Sequence, residues 1–365
     1  MSAVRETKAS TLQAGAAPRI ISGRVVRAGA GGVSMRFQGR TVAVTALLLV
    51  ALAVVIGITL TTGDFELTVG EVVGALTGNG SGAADFVVNT LRMPRILTAV
   101  FVGAALGVSG AILQSLTRNS LGSPDIIGFT NGSAVGALVV IIVLHGSMTQ
   151  IAIGALIGGL ATALVVHLLL IGRGLQGFRL VVIGIGVSAL LLAVNSYLIT
   201  RATFQEAQEA QAWLIGSLGN RLWMHANAIG LALAVLLPPA FLLSRRLAMV
   251  EMGDVTATAL GVNVNRTRTV LFVISVSLAA FATAVTGPIA FIALAAPQVV
   301  RRLSRSSGPV LLPAALMGAL LLTLSDLVVQ RVFAPALLPV GTATGAVGGA
   351  YLIWLLITES RKSRA

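Results

Sequence analysis

The chain has 365 residues, 56% of them hydrophobic and only 10% charged, where soluble domains run at about 25% charged. Its mean hydropathy of +0.95 excludes a large soluble core and predicts a polytopic helical membrane protein. Net charge is +13 and there is no Cys, so disulfides, thiolate metal sites and cysteine catalysis are excluded. The basic residues lie in tails and short inter-span segments, with none of the aromatic-interleaved basic faces that nucleic acid would call for.

Residues 1–40 carry seven Arg/Lys and no apolar run of signal-peptide length, so they read as a polar cytoplasmic tail. Their Gly, Ala, Ser and Arg content predicts disorder. Ten spans follow, at roughly 41–61, 93–115, 124–144, 150–171, 180–200, 225–243, 269–287, 289–300, 309–330 and 340–357. A helix crosses a ~30 Å hydrocarbon core in about 20 residues. The eighth span is too short for that and follows Gly287-Pro288, so a bent or partly re-entrant element is expected there.

An even number of spans puts both termini on one side. That side carries 20 of the 25 Lys and Arg, leaving Arg92, Arg95, Arg201, Arg221 and Arg331 on the other. Positive charge marks the cytoplasm, so both tails, including residues 359–365, are expected inside. Asp64, Glu66, Glu71, Asp85, Glu206 and Glu209 fall in outside loops. Trp213 and Trp223 bracket WLIGSLGNRLW and read as an aromatic belt anchoring a loop at the outer interface.

Between Arg245 and Arg268 the chain turns polar, in RRLAMVEMGDVTATALGVNVNRTR. A loop joining two membrane helices can be far shorter. This island holds two helix-compatible pieces, Met249–Leu260 and Val264–Thr269, around Gly261, as a cytoplasmic docking platform would. No Gly-rich phosphate loop ends in Lys-Ser/Thr, so ATP is not bound here by that cradle. His145, His167 and His225 stand far apart without metal-ligand spacing, and no serine or carboxylate pair indicates hydrolysis. Asp326, inside the ninth span, is either a coupling group for a proton-driven carrier or a structural partner, with Arg331 the nearest cation in sequence.

The stretch LRMPRILTAVFVGAALGVSGAILQSLTRNSLGSPDIIGFTNGSAVGAL, from Leu91, carries an R-x-P-R start, a Q-containing core, an N-x-L-x-x-P turn and a G-rich run. It resembles the second and third spans of the FecCD family, the permease subunits of ABC importers for iron-siderophores and vitamin B12. ALGVNVNRTR, TGPIAFIALAAPQVVRRL and LPVGTATGAVGGAYLIWLL extend the resemblance over residues from about 41 to 358. The C-terminal stretch and AQAWLIGSLGNRLW are most similar to its ferric-enterobactin branch.

The resemblance implies an all-α transmembrane bundle of the vitamin B12-importer permease type, with the permease domain at 41–358 and a coupling loop at 245–268. It implies two ATPase subunits, a second permease, identical or homologous, and a substrate-binding protein as partners. The cargo would be a ferric siderophore of the catecholate, enterobactin-like kind, or vitamin B12 or haem in related members. No cofactor, metal or catalytic residue is implied in this chain.

By motif, Gly253, Ala257, Leu260, Gly261 and Val262 match the positions that insert into the ATPase subunit. Arg92, Arg95 and Arg331 match arginines that receive acidic residues of the binding protein, although snorkelling at helix ends would suit the same residues. Many members place Glu ahead of the Pro-Val-Gly that begins at Pro339, where this chain has leucines, and Asp326 precedes Arg331 by five residues rather than the commoner four.

Overall fold

The computed structural model describes residues 24–28, 33–37, 39–170, 177–306, 308–333 and 338–362. Within the expected N-terminal tail, β1 (Arg24–Ala28) and β2 (Val33–Phe37) pair antiparallel, with Arg24 opposite Phe37. This replaces part of the expected disorder. The reason is local: Val25-Val26 and the alternating Val33-Ser34-Met35-Arg36-Phe37 suit a pleated strand, and Gly29, Gly31 and Gly32 stand between them. Residues 1–23 and 363–365 of the expected tails lie outside the described residues.

Every expected span is occupied by a helix. They are α1 (Gly39–Thr61), α4 (Met93–Thr117), α5 (Phe129–Leu138), α6 (Met148–Leu170), α7 (Gly177–Arg201), α9 (Trp223–Leu242), α12 (Val264–Thr286), α13 (Ile292–Ser304), α14 (Leu311–Val332) and α15 (Val340–Lys362). Among the described residues, seven helices are long and apolar enough to cross a membrane. The third span starts late, because Ser123–Gly128 forms turns before α5, and it ends in a π-helical segment, Val139–Val143. The eighth is short as expected: Gly287 and Phe291 both have positive φ, and α13 begins only after them.

Short helices fill the connections: α2 (Val69–Leu76), α3 (Gly82–Asp85), α8 (Phe204–Ile215), α10 (Ser244–Glu251) and α11 (Asp254–Ala259). A π-helical turn, Phe86–Arg92, leads into α4. Both α2 and α8 start with a capping box, Thr68 with Glu71 and Thr203 with Glu206. Each box satisfies two of the amide donors that a helix start leaves open.

Helix α4 is the axis of the bundle. It buries 78% of its apolar window, against 17% for α1 and 11% for α7. Gly103 and Gly107 of α4 meet the backbone of α14 at Gly318 and Ala314, and Gly110 meets the carbonyl of Ala293 in α13. Small residues at one-turn spacing let helices approach to backbone contact, which is how membrane helices gain dispersion energy without a hydrophobic drive. Gly132 and Gly136 of α5 meet Gly158 and Gly154 of α6 in the same way. Ser109 and Ser275 each donate to the other's backbone carbonyl at 2.8 Å, tying α4 to α12 inside the core. At ~1.5 Å per residue, the 25-residue α4 reaches from the Arg95 end of the bundle to the island.

Candidate coupling and docking sites

The island is folded and has an inside. Helix α10 stops at Met252, Gly253 turns the chain with φ 124, α11 follows, and Gly261 turns it again with φ 80. Both positions lie in the region that glycine adopts freely. Asn263 then caps α12, accepting from the amide of Arg266 at 3.0 Å. The break therefore falls at Gly253 as well as Gly261, and Val264–Thr269 is the first part of the long α12 rather than a separate short helix.

Val250, Ala257 and Val262 form a small core with Met249 and Val264. Of the residues expected to meet a partner, Ala257 and Val262 thus point inward, Gly253 is half-buried, and Leu260 and Gly261 are exposed. Sequence reading missed two others, Met252 at 69% exposed and Val255 at 86%. Their signal is apolar side chains off the island's buried stripe.

Ion pairs bind the island to the bundle. Asp254 receives Arg268 of α12 in a two-point contact at 2.7 and 2.9 Å. It also accepts from Arg118, the left-handed residue that ends α4, at 2.6 Å. Arg118 donates as well to the carbonyl of Val250 at 2.6 Å. Glu251 accepts from Arg301 of α13 at 2.9 Å, and the same Arg301 nitrogen reaches Ser115 of α4 at 2.9 Å. One carboxylate on each side of the Gly253 turn is therefore held by arginines from three membrane helices. These five residues also went unread in the sequence. The available signal was that Glu251 and Asp254 are the only acids between Glu209 and Asp326.

The other end of α4 carries the second constellation. Arg95 makes a two-point pair with Asp326 of α14, at 2.9 and 2.8 Å, and Gln330 donates to the same carboxylate at 2.7 Å. The partner of Asp326 is thus Arg95 and not Arg331. One helical turn separates Asp326 from Gln330, so both face α4, while Arg331 turns outward and is exposed. Arg92 donates to the carbonyls of Leu60 and Phe65. Arg92 and Arg331 lie close enough for their charges to oppose each other. A cavity of about 230 Å³ opens here, lined by Asp64, Phe65, Arg92, Arg95 and Gln330 among others.

Of the three expected docking arginines, Arg92 and Arg95 have hydrogen-bond partners within the chain, while Arg331 is exposed. Asp326 is 3% exposed on its side chain, so Arg95→Ala strands a buried carboxylate, at a cost of about 3–5 kcal/mol. Thermal unfolding of the purified protein should show a clear fall in Tm for Arg95→Ala, a smaller one for Arg95→Ala with Asp326→Ala, and none for Arg331→Ala. Equal effects of the two single arginine variants would refute this division.

The histidines have separate structural partners. His145 pairs with Glu206 at 3.1 Å, His167 stacks on Phe272, and His225 accepts from the amide of Leu222. Trp223 donates to the carbonyl of Asn89 at 2.8 Å, which pins the Trp-bracketed loop to the approach to α4.

The model of the FecCD transport family matches residues 47–358. The ferric enterobactin transport system permease protein of Escherichia coli (strain K12) is 46% identical over 329 residues, 90% of this chain and 100% of the relative. The Fe(3+)-citrate import system permease protein of Bacillus subtilis (strain 168) is 34% identical over 330 residues, 90% of this chain and 98% of its own length. Among solved structures, a metal-chelate-type ABC transporter in an inward-facing conformation superposes with a TM-score of 0.78 at 29% identity, covering 87% of this chain and 99% of that one. This chain is a multi-pass membrane protein and a transport component rather than an enzyme, and it belongs to the FecCD transport family.

Proposed function

We propose that the chain is one permease of an ATP-driven importer that carries a ferric siderophore of the catecholate type across the inner membrane into the cytoplasm. The observation that carries this reading is the 46% identity, over the relative's full length, to a ferric enterobactin permease. A hemin transport permease of Yersinia pestis is 36% identical over 74% of this chain, which keeps haem as the second cargo to test. Proton coupling through Asp326 finds little support, because that carboxylate is occupied by Arg95 and Gln330.

In this reading the tails and the island face the cytoplasm, as the positive-charge bias indicates. Two ATPase subunits grip the islands of two permeases, identical or homologous, and a binding protein delivers the chelate at the Arg331 end. Met252, Val255 and Leu260 supply the apolar contact, with the Gly253 and Gly261 turns presenting them, and Ala257 and Val262 keep the island's shape from within. Arg331 offers the charge for a carboxylate of the binding protein, with Arg92 and Arg95 forming the rim behind it. Alternating access follows when motion of the ATPase pair is passed through the island to α4, α12 and α13.

Uptake of radiolabelled iron in a strain lacking the gene, tested across catecholate, hydroxamate and carboxylate chelators and haem, should be restored by this chain and its partners for the ferric catecholate. Restoration of haem uptake alone would overturn the cargo assignment. At the island, Val255→Asp with Leu260→Asp should abolish co-purification of the ATPase while membrane insertion is kept. Normal ATPase recovery would show that the exposed residues are not the contact.

A further inference from the structure

Arg221 lies in the segment between α8 and α9 and is only 8% exposed. Its Nε donates to the carbonyl of Ser217 at 3.2 Å. Among the described residues the terminal nitrogens have no hydrogen-bond partner, and no carboxylate lies within ion-pair distance of the guanidinium. Arg221 lines a cavity of about 200 Å³ together with Glu209, Trp213, Ser217 and Thr286 among others. Arg221 shares with Arg268 the distinction of being a nearly buried arginine, but Arg268 has Asp254 and Arg221 has no such partner.

The walls are stiff. Ser217 donates its amide to the carbonyl of Thr286 at 2.8 Å, and Gly341 donates to that of Gly216 at 3.1 Å. The loop is thereby stitched to the end of α12 and the start of α15. Burial holds the guanidinium below its usual value. A buried cation that is left unpaired costs several kcal/mol, and the planar fork of Arg suits a carboxylate or a catecholate edge at two points.

We propose that this cavity is an oxyanion site at the outer mouth, in which Arg221 takes an anionic edge of the chelate, carboxylate or catecholate, as it enters. The proposal rests on the cargo reading above. A cavity of this size admits one catechol carboxylate ring and not a whole chelate, so the contact is with an edge. Glu209, which lines the same cavity, opposes a second negative charge and keeps the hold weak enough for release. The Trp-bracketed loop then does more than anchor the fold at the interface.

The test uses the complete transporter in lipid nanodiscs with 2,3-dihydroxybenzoate as the anionic probe. The wild type should bind it saturably, Arg221→Gln should bind about tenfold more weakly, and Arg221→Lys should fall between them. Glu209→Gln should tighten binding, and affinity for the binding protein should be unchanged in all three. Absence of saturable binding to the wild type would overturn the site, as would equal binding in Arg221→Gln and Glu209→Gln. Weakened binding-protein affinity in Arg221→Gln with probe binding intact would also overturn it, by assigning Arg221 to a protein contact. If the probe binds through Arg221 but the wild type moves no ferric catecholate, the cargo reading fails and the site stands.

Discussion

Asp254→Asn should leave the ATPase bound and yet cut transport by an order of magnitude. Asp254 is the point where the island is tied to both α4 and α12, through Arg118 and Arg268. Hydrogen bonds to charged groups contribute about 1.5–3 kcal/mol each. Asp254 is 45% exposed on its side chain and Arg118 is 42% exposed, so solvent screening brings that pair to about 1 kcal/mol or less. Arg268 is 6% exposed and would be left buried with no carboxylate.

The island's own small core, Val250, Ala257 and Val262, does not depend on this charge. Neither do the exposed apolar residues Met252, Val255 and Leu260. The expected phenotype is therefore uncoupling: the ATPase co-purifies, ATP is hydrolysed, and hydrolysis no longer responds to the loaded binding protein. Asp254→Glu should recover part of the response by restoring the charge. Measured in reconstituted vesicles, an unchanged ratio of chelate moved to ATP hydrolysed in Asp254→Asn would refute the clamp as the transmission element.

Gly107→Leu should prevent stable protein from accumulating. A side chain at Gly107 would fall within the carbonyl of Ala314 in α14, and the obstacle is backbone, which cannot rotate away. Overpacking a core costs about 1–3 kcal/mol where side chains can move, and more where they cannot. Here α4 and α14 would have to part, and with them the Arg95–Asp326 pair farther along the same interface. Gly57→Leu in α1 is the matched control, since a side chain there meets nothing within 4 Å. Fluorescence-detected gel filtration of membrane extracts should show a lost or aggregated peak for Gly107→Leu and a normal one for Gly57→Leu. Comparable peaks would mean that the close approach of α4 and α14 is not needed for the fold.

Membrane character, the helical class, the positions of ten helices, seven of them long and apolar enough to cross a membrane among the described residues, and the presence of a folded island were legible because each depends on local composition. Apolar runs near 20 residues report crossing helices whatever they pack against, and glycine spacing reports a face capable of close approach. The break at Gly287-Pro288 was legible for the same local reason. The hairpin at Arg24–Phe37 was not, because a charge-rich, Gly-rich tail masks a short alternating pattern.

Pairings were the part the sequence left open. Asp326 stands five residues from Arg331 but 231 from Arg95, and a charge finds its partner by distance in space. The same holds for Asp254, whose partner Arg118 comes from 136 residues away. A buried charge left unpaired is costly, so the pairings of Asp326 with Arg95 and of Arg268 with Asp254 are strongly favoured once the helices are in place, and only their placement reveals which pair forms.

By itself, then, the sequence determined that this chain crosses a membrane many times, that it carries a polar platform between two spans, and that it matches a known family of permeases. The tertiary structure decided which residues of the platform face outward and that Arg118, Arg268 and Arg301 clamp it to the bundle. It also decided that Arg95 is committed to Asp326, and that Arg221 is buried beside a cavity with no carboxylate of the described residues within ion-pair distance. The physical reason is that hydrophobic periodicity is a property of a segment, whereas burial and charge pairing are properties of neighbours that the chain brings together only by folding.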